Sequence, residues 1–91
     1  MDIRDLLLLT AFRHRINEPT IDEGFAHFTA LIDAQVAYDA FCDAVATTLR
    51  DGLIREPIRL PEGALQCRWH LELTPAGVAT ARRLLSNQLP D

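Results

Sequence analysis

The chain has 91 residues, 48% of them hydrophobic and 24% charged, a composition typical of one folded domain and not of a disordered tail. Its formal net charge is −4, whereas a protein built mainly to cover phosphates carries a positive charge. Two cysteines are too few for a disulfide scaffold, and the apolar run Leu6–Leu9 is too short for a membrane span. We therefore predict a single domain over residues 1–91 of a cytoplasmic protein, with reduced thiols and no membrane segment.

The first predicted element is a leucine-rich helix that begins after Asp2 and ends at about His14. Asp2 is a favourable N-cap, and Asp5 lies in the first turn, where a negative charge interacts well with the helix dipole. Apolar residues cover more of this helix than the single stripe that one-sided packing needs. Two interpretations stay open for the surplus, represented by Leu8 and Phe12: deep burial inside the domain, or a surface that contacts a partner.

The next segment, Asn17–Pro19, is predicted to end this region, because proline disfavours helical geometry in the residue before it. Thr20 and Glu23 then form a capping-box pattern, which predicts a second helix from about Ile21 toward Leu31. Gly24 inside this helix costs about 1 kcal/mol relative to alanine. We therefore expect the start of the second helix to be loose.

A third helix is predicted to end at a glycine. Its apolar face, at helical spacing, consists of Phe41, Val45, Thr48 and Leu49. Gly52 supplies a left-handed C-cap. Asp33 and Asp39 are both suitable N-caps, so the start of the helix stays open. Tyr38 lies near that start and is expected to be exposed.

Alternating sequence then predicts two strands, Ile54 to Leu60 and Leu65 to Leu73, around the turn-rich segment Pro61–Ala64. One register of the second strand is apolar and the other polar, which places Trp69 on the dry face. Pro57 cannot donate a hydrogen bond to a ladder and therefore indicates an edge strand or a bend.

Two short motifs flank this hairpin. Leu49-Arg50-Asp51-Gly52-Leu53-Ile54 ends a helix and enters a strand, and Leu73-Thr74-Pro75-Ala76-Gly77 leaves a strand and opens a helix capped by Thr74. Both resemble the segments that flank the wing in bacterial winged helix-turn-helix regulators of the MarR and PadR kind. The resemblance implies an α+β winged helix-turn-helix domain with three helices, a two-stranded wing and a C-terminal helix.

In such regulators the helix before the wing enters the DNA major groove, and the wing contacts phosphates. By resemblance, the protein would be a DNA-binding transcriptional regulator whose contacts with double-stranded DNA come from Thr47, Arg50, Arg55, Arg59 and Arg68. The resemblance also favours a homodimer, joined through the surplus apolar residues of the first helix, Leu8 and Phe12.

The third helix departs from the pattern of a DNA reader. Its outward face is predicted to consist of Asp39, Ala40, Asp43, Ala44, Thr47 and Arg50. Between Asp33 and Asp51 there are four aspartates against one arginine, and alanine offers no donors to a base edge. Charges of alternating sign between Arg55 and Glu72 cancel, as is typical of a solvated surface. The alternative function is therefore a winged-helix protein–protein interaction module that does not read DNA.

Residues for catalysis or metal binding are scarce. Cys67 and His70 have the spacing of a ligand pair, but positions three apart on a strand point to opposite faces. Glu23 and His27 share one helical face, although two ligands alone rarely define a metal site. Cys42 is expected to be a core thiol. We predict that the protein is not an enzyme and uses no metal or cofactor.

Overall fold

The computed structural model describes residues 2–59 and 68–88, which form four helices and a small antiparallel sheet. In chain order the elements are α1 (Ile3–Arg13), β1 (Ile16–Glu18), α2 (Ile21–Ile32), α3 (Tyr38–Arg50), β2 (Ile58–Arg59), β3 (Arg68–Leu71) and α4 (Pro75–Gln88). The α+β class is confirmed, and the arrangement is compatible with a winged helix-turn-helix. Within these residues, no helix combines the length and the apolar character that crossing a bilayer requires.

The first two helices begin at the caps that the sequence predicts. The Asp2 carboxylate accepts a hydrogen bond from the Arg4 backbone N–H at 3.5 Å. The Thr20 hydroxyl oxygen accepts one from the Glu23 backbone N–H at 3.2 Å. Each bond satisfies an N–H that has no partner within its helix, which fixes where the helix starts.

The start of α3 has no side-chain cap. Ala37 occupies the N-cap position, with extended backbone and no side-chain hydrogen bond. Asp33 instead ends α2 in the left-handed conformation, with φ of 51°, which aspartate tolerates better than most residues. Asp39 lies inside the first turn of α3. Both predicted N-caps for this helix are therefore wrong.

The two motifs that flank the hairpin contact each other. Gly52 has φ of 73°, which confirms the predicted left-handed end of α3. The Thr74 hydroxyl donates to the Gly52 carbonyl oxygen at 2.6 Å and accepts from the Gly77 N–H at 3.1 Å. The Thr74 N–H donates to the Leu53 carbonyl oxygen at 3.1 Å. A Cβ at Gly77 would collide with that same oxygen, so only glycine allows this approach.

The sheet has the strand order β1-β3-β2, and both pairs are antiparallel. β1 is not predicted from the sequence, in which Asn17–Pro19 indicates only a break. In the structure Ile16 pairs with Leu71 and Glu18 with Trp69. Asn17 and Glu18 have little strand preference, and three residues are too few for a stable strand alone, so β1 depends on pairing with the edge of β3.

The predicted hairpin strands are shorter than expected in the described residues. Ile54 makes an isolated bridge with Leu73, and β2 begins only at Ile58. Between them Pro57 bends the chain, and its carbonyl oxygen accepts from the His70 N–H at 2.8 Å. The predicted turn at 61–64, the residues of both strands within 60–67, and Cys67 lie outside the described residues.

Helix α1 lies among the other helices and contacts α2, α3 and α4. Leu7 and Leu8 are 0% and 2% exposed within the single chain. Packing on several sides accounts for the wide apolar surface of this helix. Leu8 therefore belongs to the core, and its prediction as part of a dimer or partner surface is wrong. Phe12 is half-buried.

Phe41 lies at the centre of the aromatic part of the core. Its ring centroid is 5.1 Å from that of Phe25, 5.2 Å from that of Phe28 and 5.7 Å from that of Trp69. Trp69 is 3% exposed, which confirms its place on the dry face of β3. A Cβ at Gly24 would collide with the Trp69 ring. The glycine that was expected to loosen α2 thus makes room for the tryptophan.

Candidate functional site

The solvent-facing side of α3 is acidic over its first half. Its exposed residues are Tyr38, Asp39, Asp43, Ala46 and Arg50. Ala44, predicted to face outward, is 2% exposed and packs in the core, so that prediction is wrong. Ala40 and Thr47 are half-buried. The side chain of Arg50 is 75% exposed, and its Nε lies 3.8 Å from the Asp51 carboxylate. The exposed face of α3 therefore carries two carboxylates, Asp39 and Asp43, in its first half. Near its end it carries Arg50, whose charge Asp51 partly neutralises.

Tyr38 opens α3 and is 40% exposed, as predicted. Its ring makes an edge-to-face contact with Phe25 at a centroid distance of 5.3 Å. One turn later Cys42 is a half-buried free thiol. A side-chain hydrogen bond with Cys42, followed by desolvation and the charge of Asp22, raises the pKa of Tyr38 to about 12. The Tyr38 hydroxyl is thus a neutral hydrogen-bonding group beside acidic side chains.

An apolar groove of about 430 Å³, here called the α3 groove, lies between α3, the start of α2 and the strands. Its apolar walls come from Ile21, Val45, Leu49, Pro57, Ile58 and Trp69. Ile58 is 62% exposed, which is unusual for so large an aliphatic side chain beside a core. Glu56 and Arg68 contribute charges of opposite sign to the lining. The groove is therefore an open apolar surface next to the acidic side of α3.

The predicted DNA-contacting arginines of the hairpin are engaged within the chain where their side chains are described. Arg55 Nε lies 3.5 Å from the Glu72 carboxylate, with both side chains about half exposed. Arg68 donates from Nε to Asn17 Oδ1 at 3.0 Å and from Nη2 to the Asn17 carbonyl oxygen at 3.5 Å. For Arg59 the structure describes only the backbone, which pairs with that of Arg68. Arg55 is thus paired with a glutamate of the hairpin, whereas Arg68 is hydrogen-bonded to Asn17 of β1.

A second concave surface, the α1–β1 cavity, lies where the end of α1 meets β1 and β3, and its volume is about 340 Å³. The basic side chains that line it are Arg13, His14, Arg15, Arg68 and His70. Glu72 is the carboxylate among its described lining residues, and Arg55 pairs with it. The described lining is therefore positive although the chain as a whole carries −4. This site is not evident from the sequence, because Arg68 joins Arg13 and Arg15 only when β1 pairs with β3.

The histidines differ from expectation. His70 was predicted on the wet face of β3 but is 8% exposed, with Nδ1 3.9 Å from the Glu72 carboxylate. His27 Nδ1 lies 3.0 Å from the Glu18 carboxylate rather than pairing with Glu23. Across residues 2–59 and 68–88, no group of three or more histidine, cysteine or acidic side chains is placed to hold a metal ion.

Comparison with known proteins gives no match: no family model, no curated protein and no solved structure is significantly similar to this chain. The likeness of its two motifs to bacterial winged-helix regulators therefore remains a resemblance of sequence. Function has to be inferred from the chemistry of the α3 groove and the α1–β1 cavity.

Proposed function

We propose that this chain is a winged-helix domain that binds another protein through the α3 groove and the acidic side of α3. Support for the winged helix comes from the element order and from the hydrogen bonds that join the two flanking motifs. The observation that carries the functional proposal is an open apolar groove beside a helix face that exposes Asp39 and Asp43. Apolar anchors with a charged border are typical of protein recognition surfaces.

The same face is poorly suited to duplex DNA. Recognition helices contact base edges through their N-terminal residues, and in α3 these include Tyr38 and Asp39. Exposed carboxylates repel phosphates, and they release no counterions on binding. Arg50 lies at the far end of the helix and has Asp51 beside it. Apart from Arg50, the exposed residues of α3 offer none of the bidentate donors on which most direct base reading depends.

The partner that fits this surface is an amphipathic helical segment with apolar anchors and flanking lysine or arginine. Burying a fully exposed isoleucine side chain is worth about 1.5–3 kcal/mol, and Ile58 keeps most of its surface available for such burial. Basic flanks are complementary to Asp39 and Asp43, which favours fast and specific association. The mode of binding is an apolar helix face in a groove.

Two helical peptides with the same leucine pattern test the proposal, one with lysine and one with glutamate at the polar positions. Trp69 is the single tryptophan of the chain and lines the α3 groove, so its fluorescence reports occupancy. We expect the lysine peptide to bind and the glutamate peptide not to bind. Equal binding of both peptides, or no binding of the lysine peptide, contradicts the proposal.

A pair of matched variants locates the binding surface. Ala46→Arg places a long cation in the groove, where Ala46 is exposed on α3. Ala79→Arg makes the same change at an exposed position of α4, away from the groove. We expect the first variant to lose the lysine peptide and the second to retain it. Equal loss in both variants would mean that the peptide responds to net charge and not to the groove.

A DNA-binding transcriptional regulator is the second candidate. It is favoured by the 75% exposure of the Arg50 side chain at the end of α3. Titration with random duplex DNA at about 50 and 200 mM salt separates the candidates, because phosphate contacts make affinity fall steeply with salt. Such a fall, reduced in Arg50→Gln, would support DNA binding and contradict the protein-docking proposal. Absence of affinity at the lower salt concentration would refute binding to the DNA backbone.

A further inference from the structure

We propose that the α1–β1 cavity binds a small organic phosphate monoester. Of the described lining residues the cavity shares Arg68 alone with the α3 groove, and this inference does not depend on the proposed docking function. Three arginines line the cavity: Arg13 and Arg15, which lie two residues apart between the end of α1 and the start of β1, and Arg68 on β3. These arginines are not part of the core, because Arg13 and Arg15 are exposed and Arg68 is half-buried. Their position on a concave surface is typical of residues that bind a ligand.

The charge of the cavity matches a dianion better than a monoanion. Arg13, Arg15 and Arg68 contribute three positive charges to the described lining, and Glu72 contributes one negative charge. Arg55 lies 3.5 Å from Glu72 and offsets part of that negative charge. A phosphate monoester carries about −1.5 to −2 at pH 7, whereas a carboxylate carries a single charge. Arginine also matches the geometry of phosphate oxygens.

One of the arginines is held in position before any ligand arrives. Asn17 Oδ1 accepts from Arg68 Nε at 3.0 Å, and the Asn17 carbonyl oxygen accepts from Nη2 at 3.5 Å. These bonds occupy part of the guanidinium and leave its other N–H groups for a ligand oxygen. Because the orientation is already fixed, less side-chain entropy is lost on binding. Asn17 is thus a positioning residue for Arg68.

The rest of the lining indicates that the phosphate is attached to an organic group. Phe12 and Leu73, two half-buried apolar residues, belong to the same lining as the arginines. Inorganic phosphate would contact the arginines and leave these walls without a partner. The volume of about 340 Å³ is near the lower end of the range for ligand pockets, roughly 300–1,000 Å³, so the organic group is small.

Three probes test the ligand class: phenyl phosphate, inorganic phosphate and benzoate. Binding to the intact chain is followed by NMR shifts of the backbone amides of Arg15, Asn17 and His70. We expect phenyl phosphate to bind about tenfold more tightly than either of the other probes. It alone has both a phosphate for the arginines and an aromatic ring for the apolar residues of the lining. Equal affinity for benzoate would overturn the phosphate assignment. Equal affinity for inorganic phosphate would overturn the inference that the phosphate carries an organic group. Absence of any change in the amide NMR shifts with all three probes would refute the site.

Arg15→Gln and Arg82→Gln are the matched variants. Arg15 is exposed and lines the cavity, whereas Arg82 is exposed on α4 and does not line it. Loss of one charge-assisted hydrogen bond should weaken phenyl phosphate about tenfold in Arg15→Gln and leave Arg82→Gln unchanged. Equal weakening in both would show that only the general field of the protein attracts the anion, which contradicts the proposal. Arg15→Gln should still bind the lysine peptide, so failure of one proposal is distinguishable from failure of the other.

Discussion

The α3 groove and the α1–β1 cavity are opposites in chemistry. The groove is apolar and adjoins the exposed carboxylates of Asp39 and Asp43, whereas arginines dominate the described lining of the cavity. The net charge of −4 describes neither surface. Net charge therefore determines average behaviour such as solubility, while each ligand meets a local field that can have the other sign.

Strand β3 contributes to both surfaces. Trp69 faces the core and the groove, while His70 follows it in the opposite register and lines the cavity. Arg68 borders both. Because successive side chains of a strand point to opposite faces, one short strand holds the two surfaces back to back. Substitutions that disrupt β3 should therefore abolish ligand binding at both surfaces. Substitutions in the flanking elements should affect one surface and not the other.

The largest expected effect is that of Trp69→Ala. Truncation of a buried aromatic side chain costs about 3–5 kcal/mol of unfolding free energy, and Trp69 is 3% exposed and touches Phe41. We expect both the peptide and the phosphate probe to lose binding. Chemical denaturation followed by circular dichroism measures the loss. Ile58→Ala is the control, with a change of at most about 0.5–1 kcal/mol, since Ile58 is 62% exposed. Equal losses in the two variants would refute the assignment of Trp69 to the core.

Gly24→Ala should have the next largest effect and should act on the groove side of β3. Overpacking against the Trp69 ring is expected to cost about 1–3 kcal/mol, although alanine is the better helix former by about 1 kcal/mol. The same substitution in a Trp69→Phe background should cost less, because the smaller ring leaves room for the added methyl group. Urea denaturation of the four proteins in this cycle measures the coupling. A stabilised Gly24→Ala variant would show that the close approach to Trp69 is absent.

Asn17→Ala should weaken ligand binding at the cavity and leave the groove unaffected. Removing the Asn17 side chain eliminates the 3.0 Å hydrogen bond to Arg68 Nε but retains the backbone carbonyl. We expect a loss of stability of about 0.5–1.5 kcal/mol. Phenyl phosphate should bind several-fold more weakly, and the lysine peptide should bind with unchanged affinity. Asn17→Asp, which preserves an acceptor at that position, should restore the orientation of Arg68 in the NMR spectrum of its Nε–H group. Unchanged phosphate affinity in Asn17→Ala would argue against a positioning role.

The smallest effect concerns the α3 side at alkaline pH. Tyr38 is the single tyrosine of the chain, so ultraviolet absorbance of tyrosinate follows its titration without interference from other tyrosines. Its pKa in the folded chain is about 12, above the ordinary value of 10.0. The folded state therefore retains a proton that the unfolded state loses, and this contribution to stability is lost as pH rises from about 10 through about 12. Cys42→Ser should lower this pKa; an unchanged value would show that Cys42 is not the cause.

Local signals in the sequence predicted much of the fold. Asp2, Thr20 and Thr74 cap helices because each offers a side-chain oxygen to backbone N–H groups nearby in the chain. Gly52 was likewise predictable from its place after an apolar helix face. Such features depend on a few neighbouring residues, so no knowledge of tertiary contacts is needed.

What the sequence did not predict depends on distant contacts. β1 exists because β3 offers it a partner, since Asn17 and Glu18 have low strand preference and Ile16 alone does not define a strand. The wide apolar surface of α1 was compatible with a dimer until its intrachain neighbours were known, and those neighbours bury Leu8. The pairing of β1 with β3 places Arg15 and Arg68 in the lining of one cavity. Charge along the sequence therefore did not indicate the site.

The contact between Thr74 and Gly52 makes the hairpin an insert that is closed at its base. The Arg55 N–H donates to the Glu72 carbonyl oxygen at 2.9 Å just outside that contact, so the chain leaves α3 and returns to α4 at one place. The chain therefore returns to the helices at a fixed point, which the hydrogen bonds at this base set regardless of how many residues join β2 to β3.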